Sequence, residues 1–282
     1  MPGHQAMDPR FTPDFHSMTK NYQFHSIART RIPTFDIFAV GLRKHHIAAI
    51  LEFDVTESRT RLRSLRKNGT NVSFNAWLVK TIARVVQKHP EAAAYLHSKK
   101  RLIIFNDINV SMIVEKETGG NKVPMPVVIE KANEKSLSQI TQEIQFAREQ
   151  VVNPSDIVLT RKSTAYQRIY YHLPGWFRRL FWSMLLKIPG AAYKTMGNVA
   201  VTSVGMTGRI NGWFIHRSVH PVSFGVGSVI QKPVVKNNEI KIREILNMTI
   251  LADHDVMDGA PMVRFLNDLT QSLETGEEIT PE

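Results

Sequence analysis

Cysteine is absent from all 282 residues. That excludes a disulfide-stapled scaffold, a Cys-ligated zinc or iron–sulfur centre and a thiol nucleophile. Long apolar runs are absent too. The most apolar stretch, Phe181-Trp182-Ser183-Met184-Leu185-Leu186, stops at Lys187 and Pro189, whereas a membrane span needs roughly 20 apolar residues. The first 25 residues hold three prolines and several histidines and no apolar run of the kind a signal peptide needs. A soluble, cytoplasmic protein is therefore expected. Disorder of the whole chain is excluded by a hydrophobic fraction of 43%, ample for a core. The length fits one large domain or two small ones.

Acid is missing over a long stretch. From Ile157 to Asn238 there is no Asp or Glu, while eleven Lys and Arg fall in that stretch. Those eleven equal the whole formal net charge of +11, the difference between 36 basic and 25 acidic residues. A field of one sign attracts anionic partners. A phosphate-bearing cofactor, an acidic protein, an anionic membrane face and a nucleic acid all qualify, as does a merely solvated basic face. Nucleic acid is disfavoured, because zinc-finger spacing, an RNP-like aromatic motif and a compact basic run are all missing.

What is present alternates between strand and helix. Residues 1–25 read as an irregular arm. Pro33 argues against one continuous helix over 26–46. His46–Thr56 reads as a strand with Ile50, Phe53 and Val55 inward. Glu57–Lys67 has a basic helical face. Ser73 caps a helix over Phe74–Lys88, with Trp77, Leu78, Ile82, Val85 and Val86 on one side. Glu91–Leu96 reads as a helical turn and Arg101–Val114 as one β-rich run. A glycine turn then leads into a strand over Val123–Ile129, and Ser136 caps a helix over Leu137–Gln150. Residues 161–196 are aromatic, basic and broken by Pro-Gly pairs. Strands follow at Gly197–Thr202, Val222–Ile230 and Ile240–Leu251, the last two separated by Asn237-Asn238. A closing helix over Ala260–Leu273 turns Met262, Val263, Phe265, Leu266, Leu269 and Leu273 inward. This pattern means α/β, with a mixed rather than fully parallel sheet.

Two segments can carry chemistry. In Asp253-His254-Asp255-Val256-Met257-Asp258-Gly259, an imidazole lies between carboxylates just after a strand. Imidazole, with a pKa of about 6.5, suits the removal of a thiol or hydroxyl proton at neutral pH. In Val199–Gly208 a strand ends in two hydroxyls, Thr202 and Ser203, followed by Gly205 and Gly208. Hydroxyls can donate to a developing oxyanion, and glycines let a substrate approach the backbone. Metal chemistry is not expected, since no second His/Asp/Glu cluster has ligand spacing.

Together these residues resemble the catalytic domain of dihydrolipoamide acyltransferases, the core components of 2-oxo acid dehydrogenase complexes. The family motif Asp-His-Arg-x-x-Asp-Gly is matched by Asp253-His254-Asp255-Val256-Met257-Asp258-Gly259, followed by Ala260 and Arg264-Phe265-Leu266. Its Thr-x-Ser-Asn-Leu-Gly segment resembles Val201-Thr202-Ser203-Val204-Gly205. Aligning on Gly205 puts the family serine at Thr202. Ile108–Val128, Lys135-Ser136-Leu137, Gly225-Val226-Gly227 and Lys232-Pro233-Val234-Val235 also fit.

The resemblance implies an α/β, chloramphenicol acetyltransferase-like mixed-sheet sandwich with flanking helices. It implies one domain over 26–275, with 161–196 as an insertion and 276–282 as an acidic tail. It implies a coenzyme A-dependent acyltransferase in which His254 is the general base and Thr202 stabilises the oxyanion. Ser203 and Gly205 would line the substrate path. Asp258 would hold the loop by pairing with Arg29 or Arg31. No metal would be needed. Family members are trimers with the site between subunits, so His254 and Thr202 would come from different chains, and a lipoyl-bearing protein is a possible partner. Asp255 departs from the family arginine. Neither a lipoyl domain nor a peripheral-subunit-binding domain is seen, so a stand-alone enzyme is expected. The aromatic stretch at Trp176–Trp182 would line a substrate entrance, cover the trimer, contact a membrane surface or simply pack against its own domain, with membrane contact the less expected. The alternative implied by the same fold is a catalytically silent trimeric scaffold.

Overall fold

The computed structural model describes Phe24, Ile27 and residues 31–42, 44–118, 121–149, 170–205 and 210–279. The rest of the predicted arm over 1–25, Arg29, residues 161–169, Gly208 and the last three residues of the predicted tail lie outside these. The elements, in chain order, are α1 (Ile32–Gly41), β1 (His46–Asp54), α2 (Thr56–Lys67) and α3 (Phe74–Lys88). A 3-10 turn (Pro90–Ala93), β2 (Tyr95–Ser98), β3 (Arg101–Ile103), β4 (Val110–Thr118), β5 (Asn121–Ile129) and α4 (Leu137–Glu149) follow. The chain then gives α5 (Gly175–Lys187), α6 (Pro189–Met196), β6 (Val199–Ser203), β7 (Val222–Lys236), β8 (Glu239–Asp253) and α7 (Gly259–Thr275).

Six strands form one mixed sheet in the order β1-β8-β7-β6-β4-β5, and β2 pairs with β3 in a separate ribbon. β6 runs parallel to both β4 and β7, while the other neighbours are antiparallel. The α/β, mixed-sheet expectation therefore holds. β7 and β8 are longer than their apolar cores suggested. Asn237 and Asn238 both take positive φ (54° and 62°), the geometry of a two-residue hairpin turn that asparagine tolerates, so pairing continues to Lys236↔Glu239.

Strand alternation divides the sheet into two faces. One carries Phe53, Val110, Met112, Val199, Val201, Val222, Phe224, Val226, Met248 and Ile250 into the main core, against α3, α4 and α7. Trp77, Leu78, Ile82, Val85 and Val86 are all essentially inaccessible, as the α3 spacing predicts, and Ser73 caps that helix by accepting from the Ala76 N–H at 3.1 Å. Each such side chain contributes about 2 kcal/mol on burial.

Several expectations need correction. Ile50 is 49% exposed, because it differs in parity from Phe53 and Val55 and points to the second face. Val263 is also exposed; it lies one position off the Met262–Phe265–Leu269–Leu273 stripe of α7. Residues 101–114 are two strands in two sheets, and the expected turn at 91–96 ends in β2. The reading of Pro33 stands: among the described residues of 26–46 the helix is confined to α1, with Pro33 in its first turn, where its missing N–H costs nothing.

Candidate active site

His254 follows the last residue of β8, in a turn closed by Val256 and Met257 N–H donating to the Asp253 carbonyl, each at 3.1 Å. Met257 is buried and anchors the turn in the core. Asp258 takes the N-cap position of α7, without a side-chain cap bond, and is exposed. Among the described residues it has no ion-pair partner, and Arg31 instead lies over the Phe35 ring.

The backbone under His254 is held from both sides. Its own N–H donates to the His45 carbonyl (2.9 Å), and the Asp253 N–H donates to the Pro221 carbonyl (2.8 Å). The Asp253 carboxylate is almost fully buried and accepts from Lys44 Nζ. Asp255 lies 3.1 Å from His45 Nδ1. His46 Nε2–H donates to the His220 carbonyl (2.9 Å), and His220 Nε2–H donates to the Met196 carbonyl (3.0 Å). Burial drives the His220 imidazole down to about 4, so it is neutral at pH 7. Within this frame the His254 side chain is exposed. A pocket of about 220 Å³ opens beside the turn, between α1 and α5, lined by Lys44, Tyr95, Ser183, Lys187, Asp253 and Asp255 among others.

Thr202 sits elsewhere. It pairs with Gly225 of β7, which pairs with Thr249 of β8, so its side chain is on the second face of the sheet. His254 is five residues beyond Thr249. At ~3.3 Å per residue, the two groups are about 16 Å apart along the strand direction. A single chain does not bring them together. Ser203 points to the opposite face from Thr202, level with core residue Val226. The space a side chain would need at Gly205 is taken by its own chain: a Cβ there would lie 2.4 Å from the Gly227 carbonyl oxygen.

The second face around Thr202 is polar and covered by residues 210–217. His216 lies against Gly225, whose Cβ would fall 2.6 Å from Nδ1, and shares a 2.8 Å hydrogen bond with Ser223 Oγ through Nε2. Burial lowers its pKa to about 4. His216 Nδ1, Thr249 Oγ1 and Asn247 Oδ1 are buried without a hydrogen-bond partner. Sequence reasoning found none of these three, nor Lys44 or His220. Each is an ordinary residue whose meaning comes from register and covering loops. Among the described residues no group of three His, Asp or Glu could hold a metal ion.

Comparison with known proteins identifies the family. The family model for 2-oxoacid dehydrogenases acyltransferase (catalytic domain) matches residues 43–157 and 194–280. The acetyltransferase component of the pyruvate dehydrogenase complex of Rickettsia prowazekii (strain Madrid E) is 24% identical over 205 residues, covering 73% of this chain and 41% of the relative. The lipoamide acyltransferase component of the branched-chain alpha-keto acid dehydrogenase complex of Bacillus subtilis (strain 168) is 25% identical over 241 residues, covering 83% and 48%. The chain thus spans less than half the length of these relatives. Among solved structures, a probable dihydrolipoamide acetyltransferase from Listeria monocytogenes superposes with a TM-score of 0.64 at 20% identity, covering 93% of this chain and 97% of the other. Azotobacter vinelandii dihydrolipoamide acetyltransferase gives 0.64 at 19% identity, covering 92% and 93%. On the family match, which takes in most of the chain including β1, β6–β8 and the His254 turn, this protein belongs to the 2-oxoacid dehydrogenase acyltransferase catalytic-domain family.

Proposed function

We propose that the protein is an acyltransferase moving an acyl group between a thioester and a thiol, with coenzyme A or a dihydrolipoyl group as the thiol. The observation that supports this most is the braced, outward-facing His254, four residues before Asp258. A histidine and an asparagine at the same four-residue spacing, together with a serine, have been investigated for their role in the mechanism of the Azotobacter enzyme. In this reading the imidazole of His254 takes the thiol proton. The thiolate attacks the thioester carbonyl carbon, and the carbonyl oxygen becomes an oxyanion that accepts from the Thr202 hydroxyl. Collapse breaks the old carbon–sulfur bond, and the leaving thiolate takes the proton back from the imidazolium. No net redox change or metal is involved.

The ~16 Å within one chain means that His254 and Thr202 act together only across two copies. The proposed assembly is a homotrimer with the site between subunits. The unpaired Thr249, Asn247 and His216 atoms on the Thr202 face would then meet substrate or the neighbouring chain, because a buried unmade hydrogen bond costs about 1–3 kcal/mol.

The test is steady-state acyl transfer from acetyl-coenzyme A to dihydrolipoamide. His254→Ala is expected to lose about 10²–10⁴-fold in kcat with unchanged melting. Thr202→Val is expected to lose about 10²–10³-fold, while Thr202→Ser retains activity. Wild-type rates in His254→Ala overturn the mechanism. Absence of turnover in the wild type with any acyl-thioester favours the silent-scaffold reading.

A further inference from the structure

Helix α5 turns an apolar patch to solvent. Its inner side packs Trp182, Leu185 and Leu186 against Ile37, Phe38 and Val40 of α1 and is fixed there by buried polar contacts. Arg178 Nε donates to the buried Asp36 carboxylate of α1 at 2.6 Å, and Arg178 Nη1 donates to the Leu173 carbonyl at 2.6 Å. The buried Trp182 donates its indole N–H to Tyr170 Oη at 2.9 Å, and Tyr170 donates to Asp36 at 3.0 Å. Burial, with Asp36 alongside, pushes the Tyr170 phenol up to about 12. The outward side carries Trp176, Phe177, Leu180, Phe181 and Met184, continued by Ile188, each between 43% and 63% exposed. A helix apolar on its solvent side needs a cover.

The chemistry of that cover follows from charge and size. Arg179, Lys187 and Lys194 are exposed around the apolar face, and no acid occurs anywhere in 157–238. Thirteen residues make a helix ~20 Å long and ~10 Å wide, so its face offers on the order of 200 Å². A stable pair of protein chains buries about 800 Å² on each partner. A bilayer needs no such matched area: aromatic side chains seat at the headgroup level, and cations add attraction to anionic lipid. Among the described residues no helix is long and apolar enough to cross a membrane, so α5 would lie on the surface. The helix falls between the two stretches the family model matches, 43–157 and 194–280.

We infer that α5 docks the protein onto an anionic lipid surface, with Trp176, Phe177, Leu180, Phe181 and Met184 entering the headgroup region and Arg179, Lys187 and Lys194 meeting lipid phosphates. The experiment is co-flotation of the full chain with vesicles of phosphatidylcholine alone or mixed with phosphatidylglycerol, at low and high salt. Binding to the mixed vesicles, weakened by salt, is expected, with a blue shift in tryptophan emission that Trp176→Phe removes. The double variant Leu180→Asp/Phe181→Asp is expected to lower the partition coefficient at least about tenfold, with melting and acyl transfer unchanged. Should that variant misfold, Arg179→Gln/Lys194→Gln serves instead and is expected to lower binding to the mixed vesicles and not to phosphatidylcholine alone. The inference is overturned if the wild-type chain binds neither vesicle, or if neither variant changes binding. It is also overturned if Leu180→Asp/Phe181→Asp lowers the assembly mass, which would give the face to a second copy.

Discussion

The two levels of the β7–β8 hairpin arm differ in how their polar groups are satisfied. Among the described residues, the buried polar groups at the His254 end find partners in their own chain. Asp253 has Lys44 and the Asp255 N–H, His46 has the His220 carbonyl, and His220 has Met196. About five residues away, at the level of Thr202, Gly225 and Thr249, three buried polar atoms have none. One end is a finished bracket that holds an imidazole toward solvent. The other is complementary to something the chain itself does not supply. The contrast suits a site assembled from two unlike halves.

The bracket should break first and hardest. Asp253→Asn removes the charge facing Lys44 in a buried pair, a change that costs about 3 kcal/mol or more. Its denaturant midpoint should fall well below the wild type's, and acyl transfer should fall with it as the His254 turn loosens. A midpoint unchanged within error would mean that the pair contributes nothing to the bracket.

The pH profile sharpens the comparison next. His220 and His216 are held neutral, with folded pKa values of about 4 against about 6.5 unfolded. A depressed histidine pKa means the unfolded chain binds more protons between those values, so stability is complete above pH 6.5 and declines as pH falls toward 4. For the fully buried His220 the loss is about 3 kcal/mol. Thermal melts across that window should show the decline, and His220→Gln should make it shallower, leaving the part due to His216. A stability curve level from pH 7 to 4 would contradict the burial of these rings.

The unfinished level predicts the smallest effect on stability and the opposite sign. Thr249→Val removes a hydroxyl that has no partner while keeping its shape, so melting should hold or rise by up to about 1 kcal/mol. Turnover should nevertheless drop. A drop in stability instead would show that the hydroxyl is already satisfied within the chain.

Much of this arrangement was legible in the sequence. Short apolar runs bounded by turn residues located β1, β6, β7 and β8, Ser73 and its spacing located α3, and an acid-flanked histidine before a closing helix located the turn that carries His254. What was not legible depended on contacts between distant segments. The Lys44–Asp253 pair joins residues 209 positions apart, and nothing near either residue marks it. His216 is an unremarkable loop residue until Gly225 leaves room for its ring. The composition of α5 showed aromatic and basic residues, and only the Asp36–Arg178 contact shows which side turns inward. At Gly205 the sequence does not show that the direction a side chain would take is filled by the Gly227 carbonyl.

The central claim is that each active site joins His254 of one chain to Thr202 of another. Co-assembly of two inactive variants, His254→Ala and Thr202→Val, tests it directly. Mixed assemblies contain some interfaces with both native groups, so the account predicts that acyl transfer returns on mixing and is absent from either variant alone. Mixed particles of confirmed composition that remain as inactive as their parents would contradict it.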